Sequence, residues 1–233
     1  MAPHDPKTIA LSLAVGILPA LVWLWFWLRE DKERPEPKGL LLFTFLIGMA
    51  SVILVIPLQK LVAATVTGQG TQITLWAGLE EIMKYLVAFF IALGSRYADE
   101  PIDFPIYMMT AALGFAGFEN VLFLLTPLGD HNTTVGLLTG NLRFLGSTLL
   151  HAVCSGLVGI SLGLAFGGNK SERTTYLFFG LCGAIALHTV FNFFIIQDDG
   201  AQFFKVFGFL WVVSIISILL FEKLRRMSGA RTA

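Results

Sequence analysis

The chain predicts an all-α, polytopic transmembrane helix bundle of about seven spans, with an eighth possible. Three observations predict it. Hydrophobic residues make up 55% of the 233 and charged residues 14%, with a mean hydropathy of +0.74. One soluble core cannot use that much apolar surface. The apolar residues fall into runs of the roughly 20 residues needed to cross the hydrocarbon. Basic residues, finally, are concentrated in alternate loops.

The first run, 8–28, follows Lys7 and ends in Trp23-Leu24-Trp25-Phe26-Trp27, an interfacial aromatic belt. It is too long for a signal peptide and no small-residue cleavage site closes it, so it reads as a retained helix. Residues 29–39 (REDKERPEPKG) form a Pro-broken, solvated inner loop. Spans follow at 39–61, 73–94 and 104–126. The segment Pro127–Gly140, with Gly129-Asp130-His131-Asn132, reads as an outer loop in which His131 is solvated. Spans at 143–166, 174–196 and 203–221 complete the set. No repeat divides the chain, so residues 1–233 read as a single integral-membrane domain.

Loop charge sets the orientation. With the N-terminus outside, eleven basic residues are inside (Arg29, Lys32, Arg34, Lys38, Arg96, Lys170, Arg173, Lys223, Arg225, Arg226, Arg231) and three outside (Lys7, Lys60, Lys205). This favours N-out, C-in. The formal net charge is zero, so no basic field points to nucleic acid. The two cysteines, Cys154 and Cys182, both fall inside spans and imply no disulfide framework. Cys154 lies three residues after His151, where a thiolate ligand is conceivable but a buried inert thiol fits better.

The functional signal is ionisable residues inside the spans: Glu80, Glu81, Lys84, Glu119, Arg143, His151 and His188. An ionised side chain at the bilayer centre costs roughly 2.5–3.5 kcal/mol, so such groups pair with one another and mark functional sites. Counted along each span, Glu80, Glu81, Glu119, His151 and His188 all lie about 10–12 Å below the outer face, at 1.5 Å per residue. Four helices thus deliver polar groups to one level. Arg143, Ser147, His151, Ser155, Gly159 and Gly163 recur every four residues, as do Gly180, Ala184, His188 and Asn192. Antiparallel packing with Gly159 opposite Gly180 would set His151 against His188.

Two imidazoles and a carboxylate are the usual ligands of a catalytic zinc, with a remaining glutamate as general base. Lys84 stands four residues from Glu80 and three from Glu81. The i,i+4 order favours a structural pair with Glu80, leaving Glu81 the freer carboxylate. Asn192, one turn from His188, suits an oxyanion donor, and Arg143 a carboxylate or carbonyl clamp. The seven aspartates lie in loops or at a span edge, against an aspartyl intramembrane protease, and no His-Glu-x-x-His occurs. A serine pairing of Ser155 or Ser147 with His188 lacks the G-x-S-x-G elbow.

Several motifs resemble one family in order: Glu80-Glu81-x-x-Lys84, Gly114-Phe115-Ala116-Gly117-Phe118-Glu119-Asn120, Arg143 with Ser147 and His151, and His188-x-x-x-Asn192. They look like those of the PrsW family of membrane-embedded proteases. The loop Arg34-Pro35-Glu36-Pro37 is similar to a stretch after that family's first helix. That family is related to the type II CAAX prenyl endopeptidases and bacteriocin-processing proteins, from whose pattern this chain departs at Lys84 and Glu119. The resemblance implies single-pass membrane-protein substrates such as anti-sigma factors, in the bacterial cytoplasmic membrane.

Together these readings predict an intramembrane peptidase acting near the outer leaflet. Glu80 or Glu81 would activate water, alone or with a divalent metal, zinc, held by Glu119, His151 and His188. Asn192 and Arg143 complete the site. A proton- or ion-coupled transporter would carry polar residues along the whole membrane depth, whereas here they cluster at one level. A non-catalytic membrane scaffold of the same fold is the third alternative.

Overall fold

The computed structural model describes residues 5–29, 34–130, 132–197 and 203–229, so Lys32, His131 and Arg231 lie outside the described residues. Eight α-helices follow one another without a strand among the described residues: α1 Pro6–Leu28, α2 Lys38–Thr65, α3 Gln69–Ala88, α4 Asp103–Gly129, α5 Thr133–Leu142, α6 Thr148–Leu164, α7 Lys170–Gln197 and α8 Phe203–Gly229. Two five-residue π-helical turns interrupt the order, Phe89–Leu93 after α3 and Arg143–Ser147 between α5 and α6.

Local chemistry explains several ends. Asp5 caps α1, its Oδ1 accepting from the Thr8 backbone N–H at 2.8 Å, with Pro6 in the first turn where no N–H is needed. At the start of α7, Asn169 Oδ1 accepts from the Glu172 N–H at 3.0 Å and Glu172 Oε2 accepts from the Asn169 N–H at 3.1 Å, a reciprocal capping box.

Six helices among the described residues are long and apolar enough to cross a membrane. The exception among the long helices is α3, which carries Glu80, Glu81 and Lys84. The bundle is organised around α4 and α6, whose apolar stretches are 72% and 78% buried, against 17% for α1 and 28% for α7 and α8. The outer helices turn most of their apolar surface outward, as a lipid solvent requires.

Small residues set the closest approaches. A Cβ on Gly48 of α2 would strike the Ala111 carbonyl of α4, and one on Gly114 of α4 would strike the Phe45 carbonyl of α2. The two backbones therefore cross in contact, the geometry small residues permit in membranes. On α6, Gly159 abuts Pro105 and Gly163 abuts the Pro101 carbonyl. The expected opposition of Gly159 and Gly180 does not form, because Gly159 faces α4 while Gly180 packs on Val158 and Ser161.

The segment expected as an outer loop is largely helical: α4 continues through Pro127 to Gly129, and Thr133–Leu142 is α5. Its glycines fit against neighbours, Gly136 on the Leu128 side chain and Gly140 on Val15, so packing rather than propensity makes the helix. The charged loop is anchored at its end: Glu36 is buried, and accepts from the Tyr107 hydroxyl.

Candidate active site

The polar residues of α3, α4, α6 and α7 meet in one buried cluster. Glu81, fully buried, is the most heavily bonded. Its Oε1 accepts from Lys84 Nζ at 2.6 Å and from His188 Nδ1 at 2.8 Å, and its Oε2 accepts from Ser155 Oγ at 3.2 Å. Lys84, also fully buried, donates to His151 Nδ1 at 2.6 Å, and its ammonium lies 5.0 Å from the centre of the Phe115 ring. A buried ammonium so surrounded is balanced by charge, hydrogen bonds and the ring quadrupole together.

Glu80 differs. Its Oε1 accepts from Gln59 Nε2 of α2 at 2.9 Å, whereas its Oε2 is buried without a hydrogen-bond partner. That oxygen lies 3.7 Å from His188 Nε2, 3.8 Å from Lys84 Nζ and 4.0 Å from His151 Nδ1. The expected i,i+4 pair of Lys84 with Glu80 is present at 3.8 Å, while the shorter contact is the i,i+3 bond to Glu81 at 2.6 Å. Lys84 bonds Glu81 at i,i+3, and Glu80 at i,i+4 is the freer carboxylate. The general i,i+4 preference belongs to exposed helices, and here His151 on α6 draws the ammonium to its own side.

Each histidine has one ring nitrogen on a carboxylate and the other toward the centre. His188 bonds Glu81 through Nδ1, and His151 bonds Glu119 Oε2 through Nε2 at 3.1 Å. An ionised carboxylate accepts only, so those nitrogens carry the protons and His188 Nε2 and His151 Nδ1 present lone pairs. The two rings stand 5.1 Å apart at 89°, so the predicted meeting of His151 and His188 occurs.

Glu119 engages the ring nitrogen of His151 opposite the one that meets Lys84. Its Oε2 also accepts from Arg143 Nη2 at 2.6 Å, and Arg143 donates through Nε to Asn120 Oδ1 at 2.5 Å while stacking 4.0 Å from the Phe123 ring centre. At 20% and 15% side-chain exposure, Glu119 and Arg143 are the partly exposed end of an otherwise buried network. The π turn begins at Arg143, and such turns recur at functional sites because the extra residue re-aims a side chain. Asn120 Nδ2 in turn donates to Thr148 Oγ1 at 2.9 Å and to the Gly16 carbonyl at 3.3 Å.

Among the described residues, two groups have the atoms to hold a metal ion: Glu80, His151 and His188, and Glu81, Cys154 and His188. Glu119, expected as a ligand beside the two histidines, is in neither. The first group fits a divalent ion on its own chemistry. It offers an unbonded buried carboxylate oxygen, the His188 Nε2 lone pair and the His151 Nδ1 lone pair, the last of which accepts from Lys84 in this structure, and each ring is oriented by a carboxylate on its far nitrogen, the usual outer arrangement of histidine ligands. Both cysteines are free thiols; Cys154 is fully buried, but Cys182, whose place inside a span predicts burial, is exposed because it lies on the outward face of α7. Ser155 bonds Glu81 rather than His188. Asn192 is half-buried one turn beyond His188 and makes no hydrogen bond to the cluster among the described residues. Sequence reasoning missed Gln59, whose signal was a lone amide within the apolar run 39–61.

A sealed set of carboxylates and oriented imidazoles, inside a bundle whose outer helices face lipid, is the equipment of an integral-membrane hydrolase. Residues 36–220 match the family model described as PrsW family intramembrane metalloprotease, and the chain belongs to that family. It is similar to curated proteins named Protease PrsW. That of Geobacillus kaustophilus is 29% identical over 190 residues, 80% of each chain, and that of Clostridioides difficile 30% over 192 residues, 79% of each. That of Bacillus subtilis is 24% identical over 184 residues, 78% of this chain and 81% of its own length. No solved structure matches. The protein is therefore a multi-pass membrane protease, which decides against the transporter and scaffold alternatives.

Proposed function

We propose that this protease cleaves a membrane-protein substrate near the outer leaflet, with Glu80 Oε2 at the centre of its site. The supporting observation is the contrast between the carboxylates: Glu81 is held by Lys84, His188 and Ser155, while Glu80 keeps one buried oxygen without a hydrogen bond, 3.7 Å from His188 Nε2 and 4.0 Å from His151 Nδ1. The bundle is one domain with seven spans, α3 being the third, N-terminus out, in a bacterial cytoplasmic membrane. The span count follows from the length of α3 and its π turn, and the orientation from loop charge.

Glu80, His151 and His188 would hold the metal, and two imidazoles with one carboxylate suit zinc. Bound there, the ion supplies a polarised scissile carbonyl and an acidified water. Glu81 fixes His188 with Nε2 inward, and Glu119 does the same for His151 with Nδ1 inward. Lys84 neutralises Glu81 and donates to His151 Nδ1 until that lone pair is claimed. With Glu80 engaged as a ligand, Glu119 is the carboxylate left to carry a proton between the site and solvent, and Arg143 orients it. Asn192, one helical turn beyond His188, would donate to the developing oxyanion. A single-pass protein of the anti-sigma type, whose scissile bond unwinds into the plane of the cluster, is the proposed substrate.

The test is metal content per mole of detergent-purified protein, with E80Q, H151A and H188A alongside, together with cleavage of a single-pass reporter in proteoliposomes. Near-stoichiometric zinc that each substitution removes supports Glu80 as a ligand. Cleavage by a metal-free protein that E80Q abolishes would make Glu80 the general base instead. Full cleavage by E80Q would overturn the reading.

A further inference from the structure

A cleft of about 530 Å³ opens where the end of α3, the start of α4, the end of α6 and the start of α7 come together, within the range of about 300–1,000 Å³ usual for ligand sites. It is separate from the cluster described above. Its lining is aromatic and aliphatic: Tyr85 and Phe89, with ring centres 5.7 Å apart, Phe104 and Phe166, 5.8 Å apart and edge-on, and Leu162 and Leu177. Its rim carries two exposed cations, Lys170 and Arg173, and the lining includes no acid. The nearby Glu172 carboxylate is engaged in capping, accepting the Asn169 N–H. Arg173 is braced over the opening by donating Nη2 to the Phe166 carbonyl at 2.5 Å.

We propose that this cleft is a binding site for an acidic phospholipid, the phosphate against Lys170 and Arg173 and an acyl chain along the aromatic walls. The shared chemistry is a phosphate anion. The apolar lining shared with the two cations favours a phosphate that brings a hydrocarbon tail over a free one. Basic pockets between membrane helices at the headgroup level take anionic lipids in this way. The inference does not rest on the peptidase reading, because none of these side chains touches the Glu80 cluster through a hydrogen bond or ion pair.

The experiment is thermal unfolding of the purified full chain in a neutral detergent, titrated with short-chain phosphatidylglycerol, short-chain phosphatidylcholine or inorganic phosphate. A saturable stabilisation by phosphatidylglycerol is expected, absent with phosphatidylcholine and weakened roughly 30-fold in K170Q/R173Q, as two basic residues near a charged headgroup imply. The double substitution K223Q/R225Q, which removes the same charge from α8, is expected to leave the titration unchanged. Equal stabilisation by the two lipids, or equal weakening in the two double variants, would overturn the site. Saturation by inorganic phosphate at the same concentration would reassign it to a soluble anion and overturn the lipid proposal.

Discussion

Nε2 of His188 faces Glu80 Oε2 at 3.7 Å while its Nδ1 is bonded to Glu81 Oε1 at 2.8 Å. Adjacent glutamates on one helix therefore do different things to the same imidazole, one setting its tautomer and the other sharing its inward side. Glu80→Gln is expected to abolish reporter cleavage, by at least about 100-fold, while the helical circular dichroism of the purified protein stays unchanged. Unaltered turnover in E80Q would remove Glu80 from the chemistry.

The Lys84–Glu81 pair predicts non-additive stability. Lys84→Met leaves Glu81 as an uncompensated buried charge and is expected to cost about 3–5 kcal/mol, as breaking a buried pair does. The double variant K84M/E81Q removes both charges and is expected to lose less than K84M alone. Denaturant unfolding in mixed micelles measures the cycle, and a double variant as unstable as the sum of the singles would contradict the pairing.

Glu119 separates the two metal readings. Bonded to His151 Nε2 and Arg143, it is expected on replacement by Gln to lower cleavage about 10–100-fold while metal content falls far less than in H188A. Loss of metal in E119Q equal to that in H188A would return Glu119 to the ligand set.

The α2–α4 crossing is tight enough to test by size. Gly48→Val is expected to destabilise by about 1–3 kcal/mol through overpacking against Ala111, whereas Gly39→Ala, with nothing close to its Cβ position, is expected to be silent. Equal unfolding midpoints for the two variants would show that the crossing relaxes freely.

The loop anchor carries a pH dependence. Burial raises the Glu36 carboxyl above its usual value of 4.5, opposed by hydrogen bonds with Asp103 and Tyr107 and reinforced by the charges of Asp99 and Glu100. Arg34 stands nearby, 3.1 Å from Glu100 and 3.9 Å from Asp99. A raised folded-state value holds the proton more tightly than the unfolded chain does, so this stability is complete below about 4.5 and is lost as pH rises through the folded value. Unfolding midpoints from pH 4 upward are expected to fall in wild type and to fall less in E36Q. Parallel curves would exclude Glu36 as the source.

Much of the site was legible because the membrane makes charge conspicuous. Glu80, Glu81, Lys84, Glu119, Arg143, His151 and His188 stand out against apolar runs, and helical spacing sets the two histidines opposite each other, where their rings meet edge-on. The glycines do not meet as the histidines do, because Gly159 packs on α4 and Gly180 on Val158 and Ser161 of α6. Gln59 escaped notice because an uncharged amide barely disturbs hydropathy, and α5 because its Gly, Thr and Asn content reads as loop.

The sequence by itself determined the solvent, the helical class, the level at which the polar residues gather and the family motifs, all of which follow from composition and the helical period. Only the tertiary structure decided the division of labour between Glu80 and Glu81. That division depends on which side of α3 receives His151 and His188, and a few tenths of a turn in helix packing decide where a buried ammonium finds its best partners. Spacing along one helix cannot carry that information, because the competing partners come from α6 and α7.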